Sequence, residues 1–407
     1  MRRILQSEGA EVIHLGHNRS VQEIVDAAIQ EDVNAIAVSS YQGGHVEYFT
    51  YLLELLKKYD VGHIKVFGGG GGVISPEEID LLHQRGVSKI FSPEDGLKMG
   101  LLGMIRHMLK TCEEPVNWTP TNYRPGIIAR GISELEKSTL PPPHLDFSPH
   151  STSTLGITGT GGAGKSSLID ELLLRYLREF PKNTVSVLSI DPTRKRTGGA
   201  LLGDRIRMNS ASDPRVFVRS IATRRAHLST HEAAKPILDY LCRCGFDLVI
   251  LETAGIGQSD SQVADLVDRS IYVMTPEYGA ASQLEKIDML DFADYVVINK
   301  FDKRGSLDAL REVRKAYQRN HSLFNKNPDQ MPVYPTCAHH FNDLGTNALF
   351  NALFNTKLPE GIPDQDTLVP SHRVRYLGEI ASHIRKYHRQ TESLPEFESQ
   401  NLLAEFK

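Results

Sequence analysis

One glycine-rich octapeptide limits the fold of this 407-residue chain more than any other feature. Residues 159–166 read Gly-Thr-Gly-Gly-Ala-Gly-Lys-Ser, which fits the pattern G-x-x-x-x-G-K-[ST]. A predicted strand, Thr154–Thr158, precedes it, and a helix with apolar periodicity, Ser167–Phe180, follows it. Glycines let successive backbone N–H groups turn toward phosphate oxygens, and the helix N-terminus adds positive potential. The octapeptide therefore predicts a phosphate-binding loop in an α/β domain with a parallel sheet.

Each residue type in that loop has its own expected role. The predicted phosphate cradle consists of Gly161, Gly162, Ala163 and Gly164. Lys165 is expected to reach the β- and γ-phosphates, and it is a predicted catalytic residue because phosphoryl transfer depends mainly on positioning and charge. The hydroxyl of Ser166 is a predicted Mg²⁺ ligand, since this ion prefers oxygen.

Carboxylates at two further predicted strand ends extend the expected metal site. The strand Val185–Ile190 ends at Asp191, and the strand Asp247–Leu251 runs into Glu252. A carboxylate at that edge of a parallel sheet can hold Mg²⁺ directly or through water. Gln258, a few residues later, is a candidate for orienting the attacking water, or equally a contact of a switch loop.

A basic segment lies between these strand ends. Residues 191–225 contain nine Lys or Arg and three Asp, a local net charge of +6 in a chain whose overall net charge is −4. Most charge runs are a solvated surface, but this one falls where a mobile loop beside a triphosphate is expected. We therefore expect Arg207 or Lys195 near phosphate, and Asp204 as a further Mg²⁺ ligand.

A base-reading signal follows about 130 residues after the phosphate loop. The tetrapeptide Asn299-Lys300-Phe301-Asp302 comes directly after the apolar strand Tyr295–Ile298. The pattern N-K-x-D selects guanine, because the carboxylate accepts hydrogen bonds from the ring N1–H and the exocyclic amine. Adenine lacks this donor pair and would leave a buried carboxylate unpaired. Backbone amides of the segment Thr336-Cys337-Ala338 are expected to back the base.

The first 110 residues form a separate alternation of predicted strands and helices. The strands are expected at Glu11–Leu15, Ala35–Ser39, Ile64–Phe67 and Lys89–Phe91. Such alternation implies a parallel sheet whose ligands bind outside the carboxyl ends of the strands. Those four ends carry Leu15-Gly16-His17, residues 39–45, the five glycines 68–72 and residues 92–95. Their Ser, Gly and His content favours a ligand face.

Composition divides the rest of the chain. Residues 111–153 hold seven of the 21 prolines, which predicts an extended linker with one helix over Ile127–Lys137. The expected organisation is a first domain at 1–110, this linker at 111–153, the phosphate-binding domain at 154–370 and a helical tail at 371–407.

Composition also argues against several classes of protein. The chain is 40% hydrophobic and 24% charged, as in ordinary globular domains. Its nearly neutral charge does not favour nucleic acid as a partner, and the lack of an apolar run of about 18 residues does not favour a membrane span. The polar N-terminus does not resemble a signal peptide, and four cysteines are too few for a disulfide framework, so we expect a cytoplasmic protein.

Two sets of sequence strings produce a specific resemblance. Residues 154–390 resemble the G-protein chaperones of adenosylcobalamin-dependent acyl-CoA mutases, through GITGTGGAGKSSLIDELL, SIDPTRKRTGGALLGDRIRM, ETAGIGQSD and INKFD. Residues 1–110 resemble the cobalamin-binding domain of those mutases, through VSSYQGGH, VFGGGGGVISPEEI and IFSPEDG. This domain order is that of the fused isobutyryl-CoA mutases. The resemblance implies a truncated flavodoxin-like cobalamin-binding domain followed by a P-loop GTPase domain.

The resemblance also implies a function. In this family, Mg²⁺-dependent hydrolysis of GTP to GDP gates the loading of adenosylcobalamin and protects an acyl-CoA mutase, here of the isobutyryl-CoA/n-butyryl-CoA type. The implied partner is the mutase barrel, fused or separate, in a homodimer. For the metal, the resemblance implies the positions Ser166, Asp191, Asp204 and Glu252, with Thr253 beside them.

Further residues are carried over one by one. Arg207 matches a nucleotide contact of the family, and residues 299–302 match its guanine reader. In the first domain, the positions that would hold the nucleotide tail and corrin edge of the cofactor are Ser39, Tyr41, Gly71 and Gly72.

The first domain departs from the family pattern. The family's cobalt-ligating histidine lies in an Asp-x-His-x-x-Gly motif after the first strand, and this sequence contains neither that strand nor that motif. His14 and His17 belong to the next strand and its exit, so they are not expected to replace it. The missing strand would lie inside the sheet in the order 2-1-3-4-5, and its loss would leave backbone groups unpaired. We therefore expect a fragment, with Met1 internal and no barrel after Lys407, and the missing motif counts against cobalamin binding.

Two alternative functions stay open. The chain could be a cobalamin carrier module with a regulatory G-domain and no catalysis of its own, which a visible-spectrum titration with adenosylcobalamin would detect. It could also be a small-molecule kinase that uses the same phosphate loop. Residues 299–302 disfavour the kinase, and phosphate appearing on an acceptor other than water would support it.

Overall fold

The structure is a computed structural model that describes residues 1–70, 72–113, 123–137, 151–192, 199–202, 204–223, 230–253, 261–279, 284, 287–361 and 376–392. Within these ranges it contains two α/β units, each built on a parallel sheet. None of the helices in the described ranges is both long enough and apolar enough to cross a membrane.

The first unit alternates short strands with helices. Its elements are α1 (Arg2–Ser7), β1 (Glu11–Ile13), α2 (Val21–Gln30), β2 (Ala35–Ser39), α3 (His45–Lys58), β3 (Lys65–Gly69), α4 (Pro76–Arg85), β4 (Lys89–Phe91) and α5 (Pro93–Cys112). A parallel sheet contains the strands in the order β2-β3-β4. Apolar side chains of α2, α3 and the sheet form one buried core, in which Phe49 and Leu52 are fully enclosed.

Three of these helices, α2, α4 and α5, begin with the same arrangement of side chains. Ser20 before α2 and Ser75 before α4 each accept a hydrogen bond from the backbone N–H three residues later. The side chains of Glu23 and Glu78 in turn accept from the backbone N–H of the serine, which completes a capping box. These residues satisfy N–H groups that lack an intrahelical partner, so the sequence itself defines where these helices start.

Strand β1 corrects a prediction about the first sheet. The sequence predicted a strand at Glu11–Leu15 within that sheet, but β1 pairs in parallel with β7 (Ala200–Leu202) of the second unit. The contact is close, because a Cβ on Gly199 would lie 2.1 Å from the carbonyl oxygen of Gln6. An extended strand needs a partner for its backbone groups, and β7 supplies one. The segment Leu15-Gly16-His17 was predicted to follow a strand of the first sheet. It follows β1 instead, which is not part of the β2-β3-β4 sheet.

The second unit is built on a larger sheet. Its strands are β5 (Ser153–Gly159), β6 (Val185–Pro192), β8 (Val216–Thr223), β9 (Leu248–Thr253), β10 (Arg269–Met274), β11 (Tyr295–Asn299) and β12 (Val333–Thr336). They lie parallel in the order β12-β11-β10-β5-β9-β6-β8, which confirms the predicted α/β class. Strands β8 and β10 are not among the strands predicted above. Strand β9 is apolar on both faces, with Leu248 and Ile250 in one buried core and Val249 and Leu251 in the other, as expected where helices cover a parallel sheet on both sides.

Helices and short 3₁₀ turns connect these strands. The helices are α6 (Arg124–Lys137), α7 (Lys165–Glu179), α8 (Thr230–Arg243), α9 (Ser306–Asn320), α10 (Leu344–Phe354) and α11 (Tyr376–Glu392). Helix α6 lies in the predicted linker and begins three residues before the predicted helix. Its Ile128 and Ile132 are buried in the core of the second unit, and a Cβ on Gly131 would lie 2.2 Å from the hydroxyl of Tyr240. This helix is therefore packed as part of the second unit.

Buried polar side chains join the two units at the edge strand β8. We call this group the domain-bridging cluster; it consists of Gln30, Glu31, Glu136, Arg205, Arg219 and Ser220. The guanidinium group of Arg205 donates to Gln30 Oε1 at 2.8 Å, to Glu31 Oε1 at 3.4 Å and to the carbonyl oxygen of Val218 at 3.0 Å. Helix α2 is thereby attached to the second unit.

A second arginine extends the same cluster. Arg219 donates to Glu136 Oε2 at 2.9 Å and to Ser133 Oγ at 2.8 Å. Glu31 also accepts from the backbone N–H of Ser220 at 2.8 Å. Burial raises the pKa of the Glu31 carboxyl, and the guanidinium groups of Arg205 and Arg219 act against that rise. Every charge in this cluster therefore faces an opposite charge or a backbone group.

Candidate nucleotide-binding site

The octapeptide lies between β5 and α7, where the sequence predicted a phosphate loop. The loop begins at Gly159, whose φ is +146°, and a Cβ there would lie 1.9 Å from the carbonyl oxygen of Val273. It ends at Gly164, whose φ is +94°, and a Cβ there would lie 2.5 Å from Asn299 Nδ2. At both positions, only glycine combines the left-handed backbone with the required space.

The side chain of Lys165 is buried beneath this loop, with 8% of its surface exposed. Its ammonium group donates to the carbonyl oxygens of Gly159 at 2.9 Å and Thr160 at 3.3 Å. The lysine is the first residue of α7, whose N-terminus carries positive potential. The arrangement places two sources of positive potential next to the predicted phosphate cradle, Gly161 to Gly164.

The predicted metal residues meet at the carboxyl ends of β6 and β9. Ser166 Oγ donates to Glu252 Oε1 at 2.8 Å, and Ser189 Oγ donates to Glu252 Oε2 at 2.9 Å. We call Lys165, Ser166, Ser189 and Glu252 the phosphate-side cluster. Ser189 has no motif in the sequence, and it joins the cluster because β6 lies beside β9 in the sheet.

The remaining residues predicted to bind metal or phosphate fall into two groups. Some lie at or after the ends of β6 and β9 or beside α7, and the others are outside the described residues. Asp191 is half-buried near the end of β6, and Thr253 ends β9 with a buried hydroxyl that has no hydrogen-bond partner. Asp204 and Arg207 bound a 3₁₀ turn that packs against α7; Arg207 is exposed, and the side chain of Asp204 is outside the described part. The predicted water-orienting residue Gln258 is also outside the described residues, as are Lys195 and Gly255.

The donor set near Ser166 fits a hard divalent cation. It offers the Ser166 hydroxyl and the Glu252 carboxylate, both of them oxygen donors. Among the described residues, no three His, Cys, Asp or Glu side chains lie close enough together to hold a metal ion by themselves. A Mg²⁺ ion that keeps several waters needs only one or two protein carboxylates, so this donor set suits it.

The predicted guanine reader lies at the end of β11, directly beside the phosphate loop. Asn299 Nδ2 donates to the carbonyl oxygen of Ala163 at 2.8 Å, and Lys300 Nζ donates to that of Gly162 at 2.7 Å. Asn299 Oδ1 accepts from Thr336 Oγ1 at 3.2 Å. Asn299 and Lys300 therefore hold the two halves of the site together, rather than pointing to a base.

The Asp302 carboxylate is the partly exposed member of the tetrapeptide. Its nearest described polar neighbours are distant: Cys337 Sγ lies 3.7 Å from one oxygen, and His339 Nε2 lies 3.8 Å from the other. Burial raises the pKa of the Cys337 thiol to about 12, so the thiol stays protonated. Phe301, the preceding residue, is fully buried and anchors the segment. This geometry leaves the carboxylate available to two donors on a ligand.

The backbone amides expected to support the base are already engaged within the protein. The N–H of Cys337 donates to Asp343 Oδ2 at 3.0 Å, and the N–H of Ala338 donates to Asn299 Oδ1 at 3.1 Å. The prediction placed these amides against the ligand, but in this structure they brace Asn299 and the start of α10. A turn at a strand end has to satisfy its own buried N–H groups first.

A cleft of about 450 Å³ opens between the phosphate loop and the guanine reader. It is lined by Gly161, Gly162, Thr275, Glu277, Tyr278, Lys300 and Lys303. Glu277 forms an ion pair with Lys303, and hydrogen bonds from Lys303 and Thr275 lower the pKa of Glu277 to about 2. Sequence reasoning missed this wall. The sequence feature that could have indicated it is the polar segment, residues 275–278, that follows the apolar strand β10.

The first-unit candidates lie at the carboxyl edge of its sheet. Ser39 ends β2 opposite Gly69 of β3, and Tyr41 just beyond is 69% exposed. Gly72 has a φ of +94°, and Gly71 is outside the described residues. A Cβ on Gly70 would lie 2.3 Å from the carbonyl oxygen of Ser40, so the glycine run brings the two strand ends into contact.

Two family models match the chain. Residues 147–353 match the family described as methylmalonyl Co-A mutase-associated GTPase MeaB. Residues 1–92 match the B12-binding domain. The first match spans slightly more than half of the chain and includes the phosphate loop, Glu252 and the tetrapeptide 299–302.

Curated relatives extend over both units. The chain is 50% identical to a fused isobutyryl-CoA mutase of Geobacillus kaustophilus over 424 residues, and 51% identical to one of Nocardia farcinica over 423 residues. Each alignment covers 96% of this chain and 39% of the relative, so the chain spans about two-fifths of the length of these relatives. A solved structure of a LAO/AO transport system kinase is 22% identical and covers 65% of this chain and 78% of its own, with a TM-score of 0.39.

Proposed function

The chain belongs to the MeaB family of methylmalonyl-CoA mutase-associated GTPases, and on that premise we propose that it binds GTP and hydrolyses it with Mg²⁺ to gate adenosylcobalamin loading into an acyl-CoA mutase. The proposed mutase is of the isobutyryl-CoA/n-butyryl-CoA type, in keeping with the names of the relatives. The observation that carries the proposal is the bond from Asn299 to Ala163, which joins a phosphate loop to a guanine reader.

For the phosphate end, we propose that the ligand replaces contacts that the protein makes with itself. Lys165 would exchange the carbonyl oxygens of Gly159 and Thr160 for β- and γ-phosphate oxygens. Ser166 would turn its oxygen from Glu252 toward Mg²⁺, and Glu252 would hold one of the ion's waters. When bound, Mg²⁺ would neutralise charge that develops on the phosphates.

For the base end, we propose that Asp302 accepts hydrogen bonds from N1–H and the exocyclic amine of guanine. The carboxylate is 38% exposed, and its described contacts are the Cys337 thiol at 3.7 Å and the His339 imidazole at 3.8 Å, so two donors on a ligand can replace the water that solvates it. Adenine offers no matching donor pair, which makes the site selective for guanine.

A binding experiment tests this function directly. Calorimetry should detect tight binding of GDP and GTP in the presence of Mg²⁺, and little binding of ADP and ATP. Asp302→Asn should weaken GDP binding by at least about 10-fold, because a donor amide then faces a donor pair, and it should improve binding of xanthosine diphosphate, which carries a carbonyl in place of the amine. The exposed Asp308→Asn is the matched control. Equal affinity for ATP and GTP would refute the guanine assignment.

A second candidate function is a cobalamin carrier with a regulatory G-domain. It is favoured by the B12-binding match over residues 1–92 and by the open carboxyl edge at Ser39 and Gly72. The sequence lacks the Asp-x-His-x-x-Gly motif that holds the family's cobalt-ligating histidine, and His14 follows β1, which pairs with β7 and not with the β2-β3-β4 sheet. A titration with adenosylcobalamin, read by the visible spectrum, discriminates the two. Displacement of the lower base would support the carrier function.

A further inference from the structure

The cleft described above lies between the phosphate loop, residues 159–166, and the tetrapeptide 299–302. Neither motif assigns a part of the nucleotide to it. Diphosphate on Gly161 and Gly162 and guanine on Asp302 must be joined by a ribose, because the nucleotide is one molecule. The bonds from Asn299 to Ala163 and from Lys300 to Gly162 hold those two ends close together. The sugar must therefore lie in the cleft that Gly161, Gly162 and Lys300 line.

The far wall of that cleft offers a group suited to a sugar diol. Glu277 carries about four acceptor sites on its carboxylate and no donor, and the ion pair with Lys303 leaves part of them unused. Its side chain is 54% exposed toward the cleft mouth, so a ligand can reach it. Carboxylates are a common partner for ribose hydroxyls in nucleotide sites of other α/β folds.

We propose that Glu277 accepts a hydrogen bond from the ribose hydroxyls of the bound guanine nucleotide and makes the site selective for ribonucleotides over deoxyribonucleotides. The inference rests on the proposed guanine-nucleotide function, and it adds a specificity-determining residue to it. Lys303 and Thr275 act as positioning residues, since both hold the carboxylate in place.

The test compares GDP with 2′-deoxy-GDP on the full chain by calorimetry. The unmodified chain should bind GDP about 10-fold more tightly than the deoxy nucleotide, which is the range expected for one hydrogen bond to a charged acceptor. Glu277→Ala should abolish that preference by weakening GDP binding alone, and Glu277→Gln should reduce it. Glu312→Ala, which removes an exposed ion pair with Lys315 on α9, is the matched control and should keep the preference.

The possible outcomes distinguish a failure of the proposed ribose contact from a failure of the proposed guanine-nucleotide function. If the unmodified chain binds both nucleotides equally, or if Glu277→Ala weakens both by the same factor, the ribose contact is wrong while the GTPase proposal stands. If the unmodified chain binds no guanine nucleotide, the proposed function fails and the inference falls with it. The comparison of the two nucleotides on the unmodified chain needs no substitution, so a poorly folding variant does not weaken the test.

Discussion

Two clusters of buried charged side chains in this molecule differ in their place in the fold and in their described contacts. In the phosphate-side cluster, Lys165 and Glu252 are at least 92% buried, and the lysine donates to carbonyl oxygens of its own loop while the glutamate accepts from serine hydroxyls. In the domain-bridging cluster, Arg205 and Arg219 are equally buried, but each faces a carboxylate. Burial of charge is common to both clusters, but their places in the fold differ: one lies at a glycine loop and a helix N-terminus, and the other lies between helix α2 and the edge strand β8.

The difference separates a ligand site from a structural joint. A lysine that donates to the carbonyl oxygens of a glycine loop can exchange them for phosphate oxygens and gain from the exchange, because charge-assisted bonds are stronger. A charge already paired with an opposite charge and a backbone group gains nothing from a ligand, and removing its partner leaves it buried and uncompensated. Loss of a phosphate-side residue should therefore impair binding, and loss of a domain-bridging residue should impair folding.

The largest expected effect is a loss of stability when the domain-bridging cluster loses a charge. Glu31→Ala removes the negative charge that faces the buried Arg205 guanidinium and the acceptor of the Ser220 N–H, and should lower the free energy of unfolding by about 3–5 kcal/mol. Urea titration followed by circular dichroism measures this loss. The control is Glu8→Ala, whose partner Arg106 is 64% exposed, so that its loss should cost under about 1 kcal/mol. Equal losses in the two variants would contradict the assignment of the cluster as a joint.

The next largest effect is a loss of nucleotide affinity when the phosphate-side cluster loses Lys165. Lys165→Ala should weaken GTP binding by about 100-fold, because charge-assisted contacts to phosphate are worth about 1.5–3 kcal/mol each. The free energy of unfolding without nucleotide should fall much less than in Glu31→Ala, because the lysine lies at the N-terminus of α7, where the helix dipole does not favour a positive charge. Lys182→Ala, at an exposed position after α7, is the control. A large loss of stability without nucleotide would place Lys165 among the structural charges.

The smallest effect concerns pH. Glu277 has a pKa of about 2, lowered by Lys303 and Thr275, so it stays ionised at every pH above 4 and loses its charge only as pH falls toward 2. The preference for GDP over 2′-deoxy-GDP should therefore be the same at pH 5 and pH 7. A carboxylate with an ordinary pKa near 4.5 would already be about one-quarter protonated at pH 5. A clear fall in the preference at pH 5 would contradict the ion pair as the cause.

Several features of this molecule could be predicted from short sequence motifs. The phosphate loop and the base-reading tetrapeptide were predictable because glycine at Gly159 and Gly164 is demanded by backbone geometry within a few residues. The capping serines and the apolar strands are likewise local signals. The pairing of β1 with β7 was not predictable, because residues 11–13 and 200–202 are distant in sequence and neither segment specifies its partner.

The sequence by itself determined the parallel α/β class and the position of the glycine-rich loop, and it supplied the candidate guanine reader, since each depends on short-range backbone conformation and side-chain chemistry. Only the tertiary structure decided that Ser189 joins Glu252, that Glu277 faces the cleft and that Glu31 lies against Arg205. These contacts depend on which strands become neighbours in the sheet and on how the two units pack. That choice is made by the burial of whole faces, which no short stretch of residues encodes.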